Sequence, residues 1–146
     1  MKALEIAAEI AKIFEGFKPN PYKCPAGVWT IGYGTTRYPD GRKVQSADPP
    51  VDISIAEEYL LDELHHSLLS TIKYCPVLVS NDNRLAAITD FVYNLGAGRL
   101  QTSTLRRRIN QGDWFEVKRE LGKWIRGGGR VLPGLVRRRI IESQLI

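Results

Sequence analysis

Three residues of different chemistry stand near the start of this 146-residue chain. Glu15, Cys24 and Thr30 are spaced E-x8-C-x5-T within the stretch FEGFKPNPYKCPAGVWTIGYGTT, residues 14–36. Glu15 closes a run with helical period, so it faces the negative end of the helix dipole, which favours a protonated carboxyl. Phe14, Phe17 and Trp29 are close enough in sequence to desolvate it, which acts in the same direction. A carboxyl group that keeps its proton near neutrality is suited to general acid catalysis. Thr30 lies in the strand-like run VWTIG and offers a hydroxyl that can hold a water molecule. A lone glutamate is by default a surface residue. What singles out Glu15 is the loop after it, which can fold back and bring all three residues to one cleft.

The elements that would position these groups can be read from periodicity. Residues 3–15 are predicted as a helix with Ile6, Ile10, Ile13 and Phe14 on one side, Glu15 on another side with Leu4, Ala8 and Ala11, and Gly16 as a stop. Pro19, Pro21 and Pro25 rule out helix over the next stretch of chain, while VWTIGYGTT is β-branched and aromatic. The turn YPDG and the return run RKVQ complete a predicted β hairpin or three-stranded sheet. From Ser54 the helical period returns, with Ser54 and Glu57 read as a capping box and Leu60, Leu61, Leu64 and Leu68 leading to about Ile72. Pro76 ends this long helix. Asn81 or Asp82 caps a nearly all-apolar helix that stops at Gly96 and belongs in the centre of a lobe. Shorter helices come next over STLRRRINQG and from Asp113, the GGG at 127–129 breaks the chain, and Pro133 opens the last helix. The expected fold class is α+β, mainly α. A small antiparallel β lobe at about 16–53 and a connecting helix at about 54–73 precede a helical lobe at about 74–146, which the N-terminal helix joins. The two lobes form a single domain over 1–146, and a groove beside the helical lobe is the expected binding site.

Composition narrows the classes. Hydrophobic residues make up 43% and charged residues 25%, which fits a globular chain and not a disordered one. No run of about 18 apolar residues offers a membrane span, and Glu5 and Glu9 interrupt the apolar start, so a secretory signal is not expected. The net charge of +5 is concentrated late in the chain, in the triplets Arg106–Arg108 and Arg137–Arg139 with Lys123, Arg126 and Arg130. A basic face implies an anionic partner or simply a solvated helix surface. Cys24 and Cys75 are too few for a disulfide scaffold and lack zinc spacing. Cys75, beside Pro76, reads as a buried thiol. His65 and His66 are adjacent on a helix, point about 100° apart and make a poor chelate. No metal site and no cofactor are expected. Trp114 and Trp124 read as core or lobe interface.

The catalytic stretch resembles the signature of the phage-type lysozymes, glycoside hydrolase family 24: Glu, eight residues, Asp or Cys, five residues, Thr. GVWTIGYG is similar to the same family's β lobe. FVYNLGAGRLQTSTLRRRINQGD (91–113) resembles its central helix and following turn, and WIRGGGRVLPGLVRRRIIES (124–143) its C-terminal segment. The similarity runs in order through nearly the whole chain. It implies a two-lobed lysozyme fold and hydrolysis of the β-1,4 bond between N-acetylmuramic acid and N-acetylglucosamine in peptidoglycan. It also implies that Glu15 is the acid, that Thr30 positions water, and that Cys24 stands where many members have aspartate. Cys24 is then a thiolate base, a nucleophile or a group that orients water, with base or water orientation preferred. Tyr33, Asn94 and Ser103 are the candidate substrate-binding residues, Asn94 being equally a helix cap and Ser103 more readily a cap for TLRRRI. Thr35 occupies a position where many relatives have histidine, so an ion pair of the β lobe is expected to be missing. A phage endolysin of this type is expected to be a monomer that waits in the host cytoplasm, binds peptidoglycan without stable membrane association, and is released through a membrane lesion made by a holin.

Two other readings compete. A lytic transglycosylase cuts the same bond but needs no water-holding partner. A nucleic-acid-binding protein would account for the arginine triplets but leaves E-x8-C-x5-T and the β lobe without a purpose. A wall-binding module that has lost catalysis is a third, weaker option.

Overall fold

A computed structural model describes residues 2–146 of the chain. It is mainly helical, with a small antiparallel sheet near the N-terminus and a short hairpin near the C-terminus. Two compact units emerge. One is Ala11–Glu63; the other is Leu64–Ile146 together with the first ten residues of the chain.

Helix α1 spans Lys2–Glu15 and ends where Gly16 turns left-handed (φ 68°), its N–H donating to the Lys12 carbonyl at 3.1 Å. Its buried face is not the expected isoleucine stripe. Ala3, Ala7, Ala8, Ile10 and Ala11 are buried, whereas Ile13 is 68% exposed. The alanine side is thus more completely buried than the side that carries Ile6, Ile13 and Phe14. Glu15 continues that side one turn beyond Ala11 and is half-buried.

In the first unit, β1 (Lys18–Lys23) and β2 (Trp29–Gly32) pair antiparallel, with Tyr22 opposite Thr30 and Lys23 opposite Trp29. The prolines exclude helix as expected, yet KPNPYK forms a strand. It is the edge partner of a two-stranded sheet, and its register shifts between Lys18 and Tyr22, where Pro19 and Pro21 lie. The expected return strand RKVQ is reduced to a bridge between Arg37 and Lys43, and no third strand forms among the described residues. Ile31, Tyr38 and Val44 make the core of this unit, backed by Trp29, Val51 and Tyr59.

Helix α2 runs over Ile53–Tyr74. Its cap is Asp52, whose Oδ1 accepts from the Ile55 N–H at 2.8 Å, and not Ser54. Glu57, released from a capping role, pairs with Lys12 of α1 at 3.3 Å. Ala56 and Leu60 face the first unit's interior, and Leu64 and Leu68 are buried in the second, while Leu61 is exposed.

In the second unit a 3₁₀ turn (Pro76–Ser80) leads to α3 (Asp82–Leu95), capped by Asn81 and buried from Leu85 to Val92. Helices α4 (Ala97–Gln101), α5 (Thr104–Gln111) and α6 (Trp114–Leu121) come next, α6 capped by Asp113. The GGG break is a hairpin, β3 (Arg126–Gly127) with β4 (Arg130–Val131). Gly128 and Gly129 both have positive φ, as a two-residue hairpin turn demands. Helix α7 (Pro133–Ser143) closes the chain. Trp124 packs edge-on against Phe91 at 5.5 Å, and Arg84 stacks over Trp114 at 3.9 Å. Among the described residues no helix is long and apolar enough to cross a membrane.

The second arginine triplet is not a surface cluster. Arg138 and Arg139 are buried against two equally buried carboxylates, and only Arg137 is exposed. Arg138 grips Asp90 of α3 with two bonds, at 2.9 and 2.8 Å. Arg139 reaches Glu142 at 3.0 Å and donates to Asn94 Oδ1 at 2.7 Å. Polar groups brought out of water in this way persist because they bond to one another.

Candidate active site

Glu15, Cys24, Thr30 and Tyr33 all belong to the unit Ala11–Glu63. Asn94 and Ser103 belong to the other unit. Asn94 is held by Arg139, and Ser103 caps α5, accepting from the Arg106 N–H at 3.0 Å while its hydroxyl donates to Leu100 O at 2.8 Å.

The end of α1 delivers Glu15 to the segment after β2. An added Cβ at Gly34 would stand 2.7 Å from Glu15 Oε2, and Gly34 has φ of 80°. Only glycine permits both that backbone conformation and that approach. Tyr33 braces the same junction: its ring lies 5.6 Å from Phe17, and the Lys12 ammonium sits 6.0 Å from its centre. Gly32 brings β2 onto α2, where its own Cβ would be 3.0 Å from that of Ala56.

Cys24 and Thr30 sit on either side of the turn that joins β1 to β2. The Cys24 N–H donates to Val28 O at 3.0 Å and the Gly27 N–H to Cys24 O at 2.8 Å, so the turn is closed by its own backbone. Thr30 is buried and donates to Val28 O at 2.9 Å. The thiol of Cys24 is half-exposed and free. Its pKa is lowered from 9.0, first by the Val28 backbone; desolvation opposes this, and the Ala26 backbone and the Thr30 hydroxyl add smaller lowering effects. The single Thr30 proton serves Val28 O while Cys24 is a thiol and can turn to sulfur when a thiolate forms.

Sequence reasoning missed Tyr22. Its phenol is raised above 10.0, chiefly by burial and then by the charges of Glu15 and Cys24. One side chain therefore feels both candidate catalytic groups. The signal was weak: Tyr22 stands two residues before Cys24, and the prolines hid the strand that carries it. Gly34 was also missed, although IGYG contains it. Asp90 and Glu142 were missed because both lie in helical patterns that read as core and surface.

Two further side chains lie outside the expected roles. Thr35 is fully buried, and its hydroxyl has no hydrogen-bond partner among the described residues. Cys75 is fully buried as expected, which pushes its thiol up to about 11. No metal-binding cluster of His, Cys, Asp or Glu is found among the described residues.

Known proteins resemble this chain along most of its length. The phage lysozyme family profile matches residues 12–142. The endolysin of Acyrthosiphon pisum secondary endosymbiont phage 1 is 32% identical over 142 residues, covering 93% of this chain and 91% of the relative. The SAR-endolysin of Enterobacteria phage PA-2 is 35% identical, covering 90% and 76%. Among solved structures, the endolysin from Escherichia coli O157:H7 phage FAHEc1 superposes with a TM-score of 0.83 at 28% identity, over 96% of this chain and 89% of that one. With the family profile matching through both units and relatives above 30% identity along most of the chain, the chain belongs to the phage lysozyme family and is a lysozyme-type glycoside hydrolase.

Proposed function

We propose that the protein is an endolysin that hydrolyses the β-1,4 bond between N-acetylmuramic acid and N-acetylglucosamine in bacterial peptidoglycan. In this reading Glu15 protonates the glycosidic oxygen as the bond to the sugar's anomeric carbon breaks. Water attacks that carbon and gives up a proton to Cys24, which acts as base, while Thr30 orients the water and stabilises the thiolate. Tyr33 and Tyr22 line the approach to Glu15. Asn94 and Ser103 are carried as secondary contacts to the substrate.

The observation that carries this reading is the lowered pKa of a half-exposed thiol that Thr30 and the turn backbone serve. A cysteine kept only for packing has no need of amides that favour its thiolate. Hydrolysis needs such a group to manage water, and elimination does not.

The Glu15→Gln variant, compared with the wild type on purified walls, tests the acid role. Activity is expected to fall below detection while the fold, followed by circular dichroism, is kept. Mass spectrometry of the released fragments tests the reaction: reducing muramic ends support hydrolysis, and anhydro-muramic ends would replace it with a transglycosylase. Release to the wall through a holin lesion, and action as a monomer, belong to the same reading. Lysis timing with and without a co-expressed holin tests the first. Sedimentation tests the second.

A further inference from the structure

The second unit carries a cavity of about 580 Å³ at the junction of α4 and α5. Gln101, Thr102, Ser103, Arg106, Arg107 and Asn110 are among the residues that line it. No carboxylate lines it. Four other basic side chains of this unit form ion pairs: Arg138 with Asp90, Arg139 with Glu142, Arg119 with Glu116 and Lys123 with Glu120. Among the described residues, Arg106 and Arg107 bond to neutral groups.

Arg106 is fixed in place. Its Nε donates to Tyr74 O at 2.9 Å, its Nη1 to Gln101 O at 3.1 Å, and its guanidinium lies 4.9 Å from the Tyr74 ring centre. Carbonyl partners hold the fork without cancelling its charge, and the rotamer freedom that a ligand would have to remove is already gone. Asn110 Nδ2 also donates to Tyr74 O, at 2.9 Å. Capping the last carbonyl of α2 explains Asn110 and one edge of Arg106. It does not explain Arg107, which is exposed, bonded at 3.0 Å to Thr104 Oγ1, and brings a second positive charge to the same cavity.

We propose that this cavity is an accessory site for the oxyanions that hang from the wall polymer, held jointly by Arg106 and Arg107. The chemistry is that of a carboxylate on a stem peptide or a phosphate on a wall-linked polymer, both of which a guanidinium pair recognises. The proposal rests on peptidoglycan being the substrate and adds how a long anionic polymer is retained between cuts. It requires no step at Glu15.

Amide resonances of the full chain, followed while an acetylated tripeptide with two free carboxylates is added, test it directly; inorganic phosphate forms the second arm. Saturable shifts confined to residues 101–111 are expected with the peptide and are expected to be lost in Arg107→Glu. Gln101→Glu, which adds a carboxylate to the mouth, is expected to weaken them several-fold. Saturation by phosphate alone supports the site and assigns it to phosphate. Saturation by neither, or shifts that persist unchanged in both variants, overturns the proposal. So does a response only to a DNA duplex. On purified walls Arg107→Glu is expected to raise KM several-fold with kcat kept. Wild-type turnover on those walls is read in the same experiment, so a failure of the muramidase reading is seen separately from a failure of the site.

Discussion

At Cys24 the turn backbone, with help from Thr30, favours the thiolate, so its folded pKa lies below 9.0. The rate of alkylation by iodoacetamide should therefore reach its midpoint below pH 9.0, and Thr30→Val should move that midpoint upward. Cys75, fully buried with its thiol near 11, should stay unmodified in the native protein and serves as the internal control. The resemblance placed cysteine at a position often held by aspartate. The spacing could not show that backbone amides would supply what a free thiol lacks, because those amides come from a turn only the fold closes. Gly34 carries the second prediction. A methyl group there meets Glu15 Oε2 at 2.7 Å in a left-handed backbone. Gly34→Ala should displace the carboxyl and lower kcat by roughly 10²-fold, measured by clearing of wall suspensions.

Elements tell a different story. The termini of α1, α3, α5 and α6 were readable because their caps are local: Gly16, Asn81, Ser103 and Asp113 act within a few residues of themselves. The start of α2 misled because Ser-x-x-Glu fits a capping box, yet Asp52 sits two residues earlier and has the stronger acceptor. Asp52→Ala should cost about 1 kcal/mol in urea unfolding, whereas Ser54→Ala should stay within about 0.5 kcal/mol. The strand β1 was hidden for the opposite reason. Its prolines are unfavourable in isolation, and only pairing of its Tyr22 and Lys23 with β2 makes it a strand. The buried side of α1 was also misjudged, since an apolar stripe shows where burial is favourable but not which neighbour arrives.

For the molecule as a whole, the buried set of Asp90, Arg138, Arg139 and Glu142 joins α3 to α7 across 48 and 52 residues of chain (138 − 90 and 142 − 90). Burial and the adjoining Asp90 carboxyl raise Glu142 well above 4.5, more than the two arginines lower it. A raised folded pKa means that the native state holds a proton the unfolded chain gives up. The stabilisation is therefore complete below about 4.5 and is lost as pH rises towards the folded value. Thermal unfolding of the wild type should show stability declining with pH above 4.5, and Glu142→Gln should flatten that decline, while Asp90→Asn, which removes the adjoining carboxyl, should lessen it in part. The same network removes two arginines from the surface charge that composition alone suggested, which weakens the case for a nucleic-acid partner. The sequence by itself determined the order of helices, the caps of α3, α5 and α6, the glycine turns and the spacing of Glu15, Cys24 and Thr30. All of these are local, decided by backbone geometry within a few residues. Only the tertiary structure decided which face of α1 is buried, that Tyr22 lies within reach of the charges of both Glu15 and Cys24, and which arginines meet acids. Those outcomes depend on groups far apart in the chain, whose desolvation is offset only when the partners arrive.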